Sequence, residues 1–166
     1  MTAFTIFHVV LSLIGIVAGF VVIWGFLTAK GLDVWNAVFL TCTTLTSVTG
    51  FFFPIERFTP GLAVGILSLL ALCVAVVARY PMQMHGRWRA TYVVTALISQ
   101  YFNVTVLITQ SFQKVPALTA LAPTQTEAPF LITQLAALTV FIVLGVAAVA
   151  RFHPESGSER WRQASA

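Results

Sequence analysis

The chain has 166 residues, of which 58% are hydrophobic and only 8% charged. A soluble domain of that length has no interior large enough for so much apolar surface, so composition excludes an ordinary globular protein and implies a membrane. The net charge of +4 reads as a topology signal and not as a nucleic-acid-binding surface.

Five stretches contain no Asp, Glu, Lys or Arg: 4–29, 34–55, 58–78, 90–113 and 128–150. Each is long enough to cross a hydrocarbon core of roughly 30 Å as a helix. The expected fold is all-α, a polytopic transmembrane helix bundle of five spans. It forms one domain over residues 1–152, with a short polar tail at 153–166.

The first span carries His8, Ser12, Gly15 and Gly19 at i, i+4, i+7 and i+11, which is one helical stripe. Gly15-x-x-x-Gly19 permits close approach of another helix. His8 is the one ionisable side chain well inside a predicted span, and such residues are functional candidates. No basic leader or small-x-small cleavage site is present, so this span is expected to remain in the mature protein. A short turn through Lys30 makes the second span its antiparallel neighbour. Asp33 is the expected N-cap there.

The second span is rich in hydroxyls: Thr41, Thr43, Thr44, Thr46, Ser47 and Thr49. Gly50, three phenylalanines and Pro54 end it. The alternative to five spans is four plus a re-entrant second segment. The segment from Thr46 to Phe51 faintly resembles a potassium-channel filter, but it has one glycine where that design needs two. After a short turn at 55–58, Thr59 is the expected cap of the third span and Pro60 its first residue. Gly61-x-x-x-Gly65 is a second small-residue packing motif. Pro81 stops this span, and the basic loop that follows contains Trp88, an interfacial anchor.

The fourth span has the clearest polar face. Tyr92, Ser99, Gln100, Asn103, Gln110, Gln113 and Lys114 share a sector of roughly 140°. Amides are costly against lipid, so this face is expected either to bond neighbouring helices or to line a hydrated cavity. The connection 115–129 holds three prolines and is expected to lie against the outer membrane face. The fifth span then returns to the cytoplasm.

Seven of the nine basic residues fall on one side in this topology: Lys30, Arg79, Arg87, Arg89, Arg151, Arg160 and Arg162. Arg57 and Lys114 fall on the other. The positive-inside rule places the N-terminus outside and the C-terminus in the cytoplasm. A re-entrant second segment gives a poorer split.

Cys42 and Cys73 lie within spans without metal or redox spacing, and read as small buried hydrophobes. His8 falls outside while His85 and His153 fall inside, so one chain offers no facing pair of haem ligands. No cofactor or metal is expected. No carboxylate lies within a span, and no catalytic pair, phosphate loop or zinc spacing is present, so no catalytic residue is assigned.

Three segments carry a resemblance: Phe-His-Val-Val-Leu-Ser-Leu-Ile-Gly-Ile at 7–16, Thr-Ser-Val-Thr-Gly-Phe-Phe-Phe-Pro at 46–54, and Leu-Ala-Pro-Thr-Gln-Thr-Glu-Ala-Pro-Phe at 121–130. They resemble a group of small integral membrane proteins of proteobacteria with no assigned activity. The resemblance implies a bacterial inner-membrane location and transfers no functional residues.

Two functions follow. In the first, His8, Thr49, Gln110, Lys114 and Gln134 lie toward the outer side. Gln100 and Asn103 are deeper, and a small molecule binds or permeates through a polar cavity roofed by the 115–129 connection. In the second, the protein is an accessory subunit whose glycine faces dock on a larger membrane complex or on a second copy of the chain. An enzyme ranks third. The lipid bilayer is a partner in each case, and nucleic acid in none.

Overall fold

Uninterrupted apolar runs satisfy their backbone internally only as helices, and helices are what form. A computed structural model describes residues 3–53 and 60–153, and every regular element among them is helical. The elements are α1 (Ala3–Leu27), α2 (Asp33–Gly50), α3 (Pro60–Arg79), α4 (Arg87–Lys114), a short α5 (Pro116–Leu121) and α6 (Ala128–Arg151). Four of them, α1, α3, α4 and α6, are long and apolar enough to cross a membrane. The chain is a helical bundle of multi-pass membrane type. α2 is continuous but has only 18 residues, about 27 Å at 1.5 Å per residue, and its hydroxyls lower its apolarity. The expected Thr59 cap, the 55–58 turn and the tail from 154 onward lie outside the described residues.

α1 pairs with α2 and α3 with α4, as the short turns require, while α4 also packs on α1, α5 and α6. α1 closes with paired bonds from Lys30 N–H to Gly25 O (2.8 Å) and from Ala29 N–H to Phe26 O (3.4 Å). This is the Schellman arrangement, with Ala29 at φ 56° where glycine is usual.

The core is not central. Its fully buried members are Ala18, Val22 and Phe26 on α1, Phe39 on α2, Leu72, Ala75 and Ala78 on α3, Tyr92, Val93 and Ala96 on α4, and Ala148 and Phe152 at the end of α6. All lie toward the end of the bundle that carries the α1–α2 and α3–α4 turns, here termed the closed end. Phe26 stacks edge-on against Tyr92 and Phe152, at 5.7 and 4.8 Å between ring centres.

Polar groups lock that end. Asp33 makes no cap; α2 starts from Leu32 with no side-chain cap bond. The Asp33 carboxylate instead accepts from Arg79 Nη2 at 2.6 Å, the one ion pair among the described residues. The Arg79 guanidinium, 8% exposed, lies 5.1 Å above the Tyr92 ring. Tyr92 donates its hydroxyl to Asn36 Oδ1, and Asn36 Nδ2 donates to Leu32 O at 2.7 Å. Arg89 donates to the carbonyls of Val149 and Phe152, which holds the end of α6. Of the cysteines, Cys42 is half-buried, whereas Cys73 is exposed on the surface of α3, not buried as its apolar setting suggested.

Candidate functional site

The other end is open. The N-terminal halves of α1 and α3 and the C-terminal halves of α2 and α4 surround a cavity of about 780 Å³. That is within the usual size of small-molecule sites, roughly 300–1,000 Å³. The halves diverge because their facing positions hold small or polar residues: Ser12 on α1, Ser47 and Gly50 on α2, and Gly61, Gly65 and Ser68 on α3.

The rim is polar, with His8, Gln110 and Lys114 on the wall. Asn103 lies 11 residues below Lys114 on α4, about 16 Å along the axis. Between these levels the wall is mainly apolar, with Leu13, Val106 and Leu107, and Phe51, Leu62 and Phe102 add further apolar surface to the lining. Near the bottom, Ser47 and Ser68 approach within 3.4 Å, and Asn103 Nδ2 donates to Thr43 Oγ1 at 3.2 Å. Thr46 Oγ1, on the same wall, is buried without a partner. The cavity is thus amphipathic, where the sequence suggested a polar one.

His8 is fixed by α2. Its Nδ1 lies 2.8 Å from Thr49 Oγ1, and Phe53 packs edge-on at 5.1 Å. The Thr49 hydroxyl also lies 2.7 Å from Leu45 O and 3.1 Å from Thr46 O on its own helix. Its proton goes either to these carbonyls, with His8 Nδ1 donating to it, or to His8 Nδ1 itself, so two ring tautomers fit the geometry. The ring's other nitrogen, Nε2, has no hydrogen-bond partner among the described residues. It accepts in the first tautomer and donates in the second.

Of the candidate residues, His8, Asn103, Gln110 and Lys114 come together on this cavity, and Gln100 and Gln134 do not. Gln100 is buried below it. Its Nε2 donates to Ile16 O at 2.8 Å, and its carboxamide lies over Gly19, where a Cβ would fall 2.1 Å from Gln100 Oε1. Gln134 has the expected depth but the wrong azimuth. It meets the far side of α4, donating to Thr109 Oγ1 (3.2 Å) and Thr105 O (3.3 Å). Gln113 turns away to Gln125, which in turn donates to Thr109 O. The 115–129 connection is therefore pinned toward the α4–α6 side, and among its residues only Val115 touches the cavity. It does not form the expected roof.

The glycines divide as well. A Cβ on Gly15 would lie 3.2 Å from Thr43 Oγ1, so this residue lets α2 approach. Gly19 makes room for a side chain, not a helix. Gly61 and Gly65 line the cavity, and a Cβ on Gly65 would make only ordinary contact with the Phe51 ring at 3.6 Å. At Gly65 the second GxxxG motif therefore serves as wall and not as close packing.

The residues that sequence reasoning missed are Thr46, Ser47 and Ser68. The hydroxyl run on α2 was the only signal for Thr46 and Ser47, and such hydroxyls more often bond their own backbone; Ser68, alone on α3, gave none. His85 and His153 follow α3 and α6 at the closed end, remote from His8. No group of three or more His, Cys, Asp or Glu placed to hold a metal occurs among the described residues. No protein-family model, curated protein or solved structure matches the chain.

Proposed function

We propose that the protein is a five-span inner-membrane protein that binds a small molecule in the cavity at its open end. In this reading α2 crosses the membrane as the second span. The closed end, with Lys30, Arg79, Arg87, Arg89 and Arg151, faces the cytoplasm, and the cavity opens to the periplasm. The observation that carries the reading is the cavity itself: about 780 Å³, apolar along its length, with a few polar groups converging at its rim and floor. Among the described residues no catalytic constellation stands on its wall, and binding or permeation is the reading adopted.

A specific observation favours the second reading, an accessory subunit of a larger complex or of a homo-oligomer. α6 has only Phe141 and Ala148 buried, and it exposes Leu131, Ile132, Leu135, Ile142, Val143 and Val146. Lipid covers such a face as well as a protein partner does, so the cavity decides between the readings.

Single cysteines at Gln110, Thr105 and Thr124, in a background lacking Cys42 and Cys73, test both topology and site. Whole cells are treated with a small impermeant thiol reagent. Positions 110 and 124 are expected to react, and 105, whose hydroxyl is buried toward α6, to stay inert. Protection of 124 reverses the topology. Reaction at 124 with 110 inert means that the cavity is closed to water, and the accessory reading replaces this one.

A further inference from the structure

We infer that the occupant of this cavity is a single-chain amphiphile with an acidic head group, a carboxylate or phosphate monoester, seated with its head at Lys114 and His8. The inference rests on the binding reading above and adds the chemistry of the ligand.

The sign of the charge comes from the wall. Among the described residues, Lys114 is the one Lys or Arg on the wall, and no Asp or Glu stands on it. A cation at the rim of a cavity with apolar walls attracts an anion over a longer range than the same cation in water, because low-dielectric walls focus its field. Lys114 ends α4, where its charge also suits the helix dipole. That explains a basic residue in this turn. It does not explain why α1 offers an unpartnered imidazole nitrogen on the wall of the same cavity, about one helical turn deeper.

His8 supplies the second element of recognition. Its Nδ1 is engaged by Thr49, so Nε2 is the nitrogen left for a ligand. Lys114 donates to an anionic oxygen, and Nε2 meets either a second anionic oxygen or an O–H, according to the ring's tautomer. An acid or a phosphate monoester interchanges these forms. An alcohol satisfies His8 alone, and an amine is repelled by Lys114.

The tail follows from what lies below. Leu13, Val106 and Leu107 line the wall between Lys114 and Asn103, which is about 16 Å deeper on α4, and Phe51 and Leu62 add apolar lining to the same cavity. An inorganic anion leaves that surface uncovered. A chain lying along it buries apolar area on both partners, which is the larger part of the gain in such sites.

The experiment measures displacement of a fluorescent fatty acid from the full-length protein in phosphatidylcholine nanodiscs, corrected for partition into empty discs. Competitors are laurate, lauryl phosphate, lauryl alcohol, laurylammonium and acetate. Laurate or lauryl phosphate is expected to bind at least about tenfold more tightly than lauryl alcohol. Lys114→Gln should erase that difference without changing the alcohol, Lys114→Arg should keep it, and Val106→Trp should weaken all chain-bearing competitors. Alcohol binding as tight as laurate overturns the acidic head and leaves the cavity reading standing. Acetate competing as well as laurate overturns the tail and makes this a small-anion site. Displacement of the probe by phosphatidylglycerol in the discs, at the potency of laurate, assigns the site to bilayer lipid and overturns the single-chain ligand. Absence of any displacement, with wild type and Val106→Trp alike, overturns the cavity reading itself.

Discussion

At the closed end, Asn36, Arg79 and Tyr92 are almost fully buried, and each has a partner at hydrogen-bond distance. At the open end, His8, Gln110 and Lys114 face a space large enough for a ligand. The side-chain types are nearly the same: an amide, a basic group and an aromatic or imidazole ring. What differs is the residue size opposite them. Phe26, Phe39 and Leu72 fill the closed end, whereas Ser12, Gly50, Gly61 and Gly65 leave the other end unfilled. A polar side chain in a membrane helix is cement where its neighbours are bulky enough to shut out other partners, and recognition surface where they are not.

The sharpest break of this comparison uses two glutamines on one face of α4. Gln100→Ala removes a buried, bonded amide and leaves a void beside Gly19, and is expected to cost about 2 kcal/mol. Gln110→Ala removes an exposed one at the cavity and should stay within about 0.5 kcal/mol. Gly19→Ala places a methyl group on the Gln100 carboxamide, at an expected cost of about 2 kcal/mol. Most of that cost should vanish in the Gln100→Ala background. Thermal unfolding in one detergent measures all four variants. Equal losses for Gln100→Ala and Gln110→Ala would mean that the two ends are equally packed.

Much of this was legible in the sequence, for physical reasons that also set the limit. Apolar runs long enough to span a bilayer mark α1, α3, α4 and α6 almost to the residue, since lipid leaves the backbone few choices. Helical phase put Gln100, Asn103, Gln110 and Lys114 on one face, because phase is local. Whether that face is buried depends on residues far along the chain. Gln100 meets Ile16, 84 positions away, and Arg79 meets Asp33, 46 positions away. Asp33 was read as a cap because a cap is the local option; the ion pair is not visible locally. Gln134 shares the depth of the cavity, which sequence can supply, but not its azimuth, which only packing fixes. Gly65 belongs to a packing motif, yet only the Phe51 ring comes near it, at ordinary contact distance.

A smaller effect sharpens the description of the closed end. Ala29 holds φ 56° to close the Schellman turn, and a Cβ in that region is unfavourable. Ala29→Gly should relieve it and raise stability by about 0.5–1 kcal/mol, even after the greater chain entropy of glycine. The unfolding midpoint should rise without a change in ligand binding at the open end. A fall in the midpoint would show that the Ala29 side chain stabilises the turn in a way its backbone does not reveal.

The smallest effect belongs to the open end and turns on one carboxylate outside the membrane-spanning segments. Glu127 precedes α6 and accepts from the Thr124 hydroxyl at 2.8 Å, the Thr124 N–H at 3.1 Å and the Thr126 N–H at 3.1 Å. Slight desolvation pushes its pKa up, but these hydrogen bonds together outweigh it and hold the group below the ordinary carboxylate value. A carboxylate whose pKa is lower folded than unfolded binds fewer protons when folded. Its contribution to stability is therefore complete above the unfolded value and fades as pH falls through the folded one. Because the group is exposed, the loss stays local, confined to the 124–127 turn and the first turn of α6. Amide exchange there should speed up on acidification below the ordinary carboxylate range, after correction for intrinsic exchange. Glu127→Gln cannot titrate, so its protection at 124–130 should be lower than wild type at neutral pH and flat with acid. A wild-type profile as flat as the variant's would mean that the carboxylate does not hold this turn. The open end's outer connection would then owe its position to Gln125, held by Thr109 and Gln113, and to Thr119 on the Phe112 carbonyl.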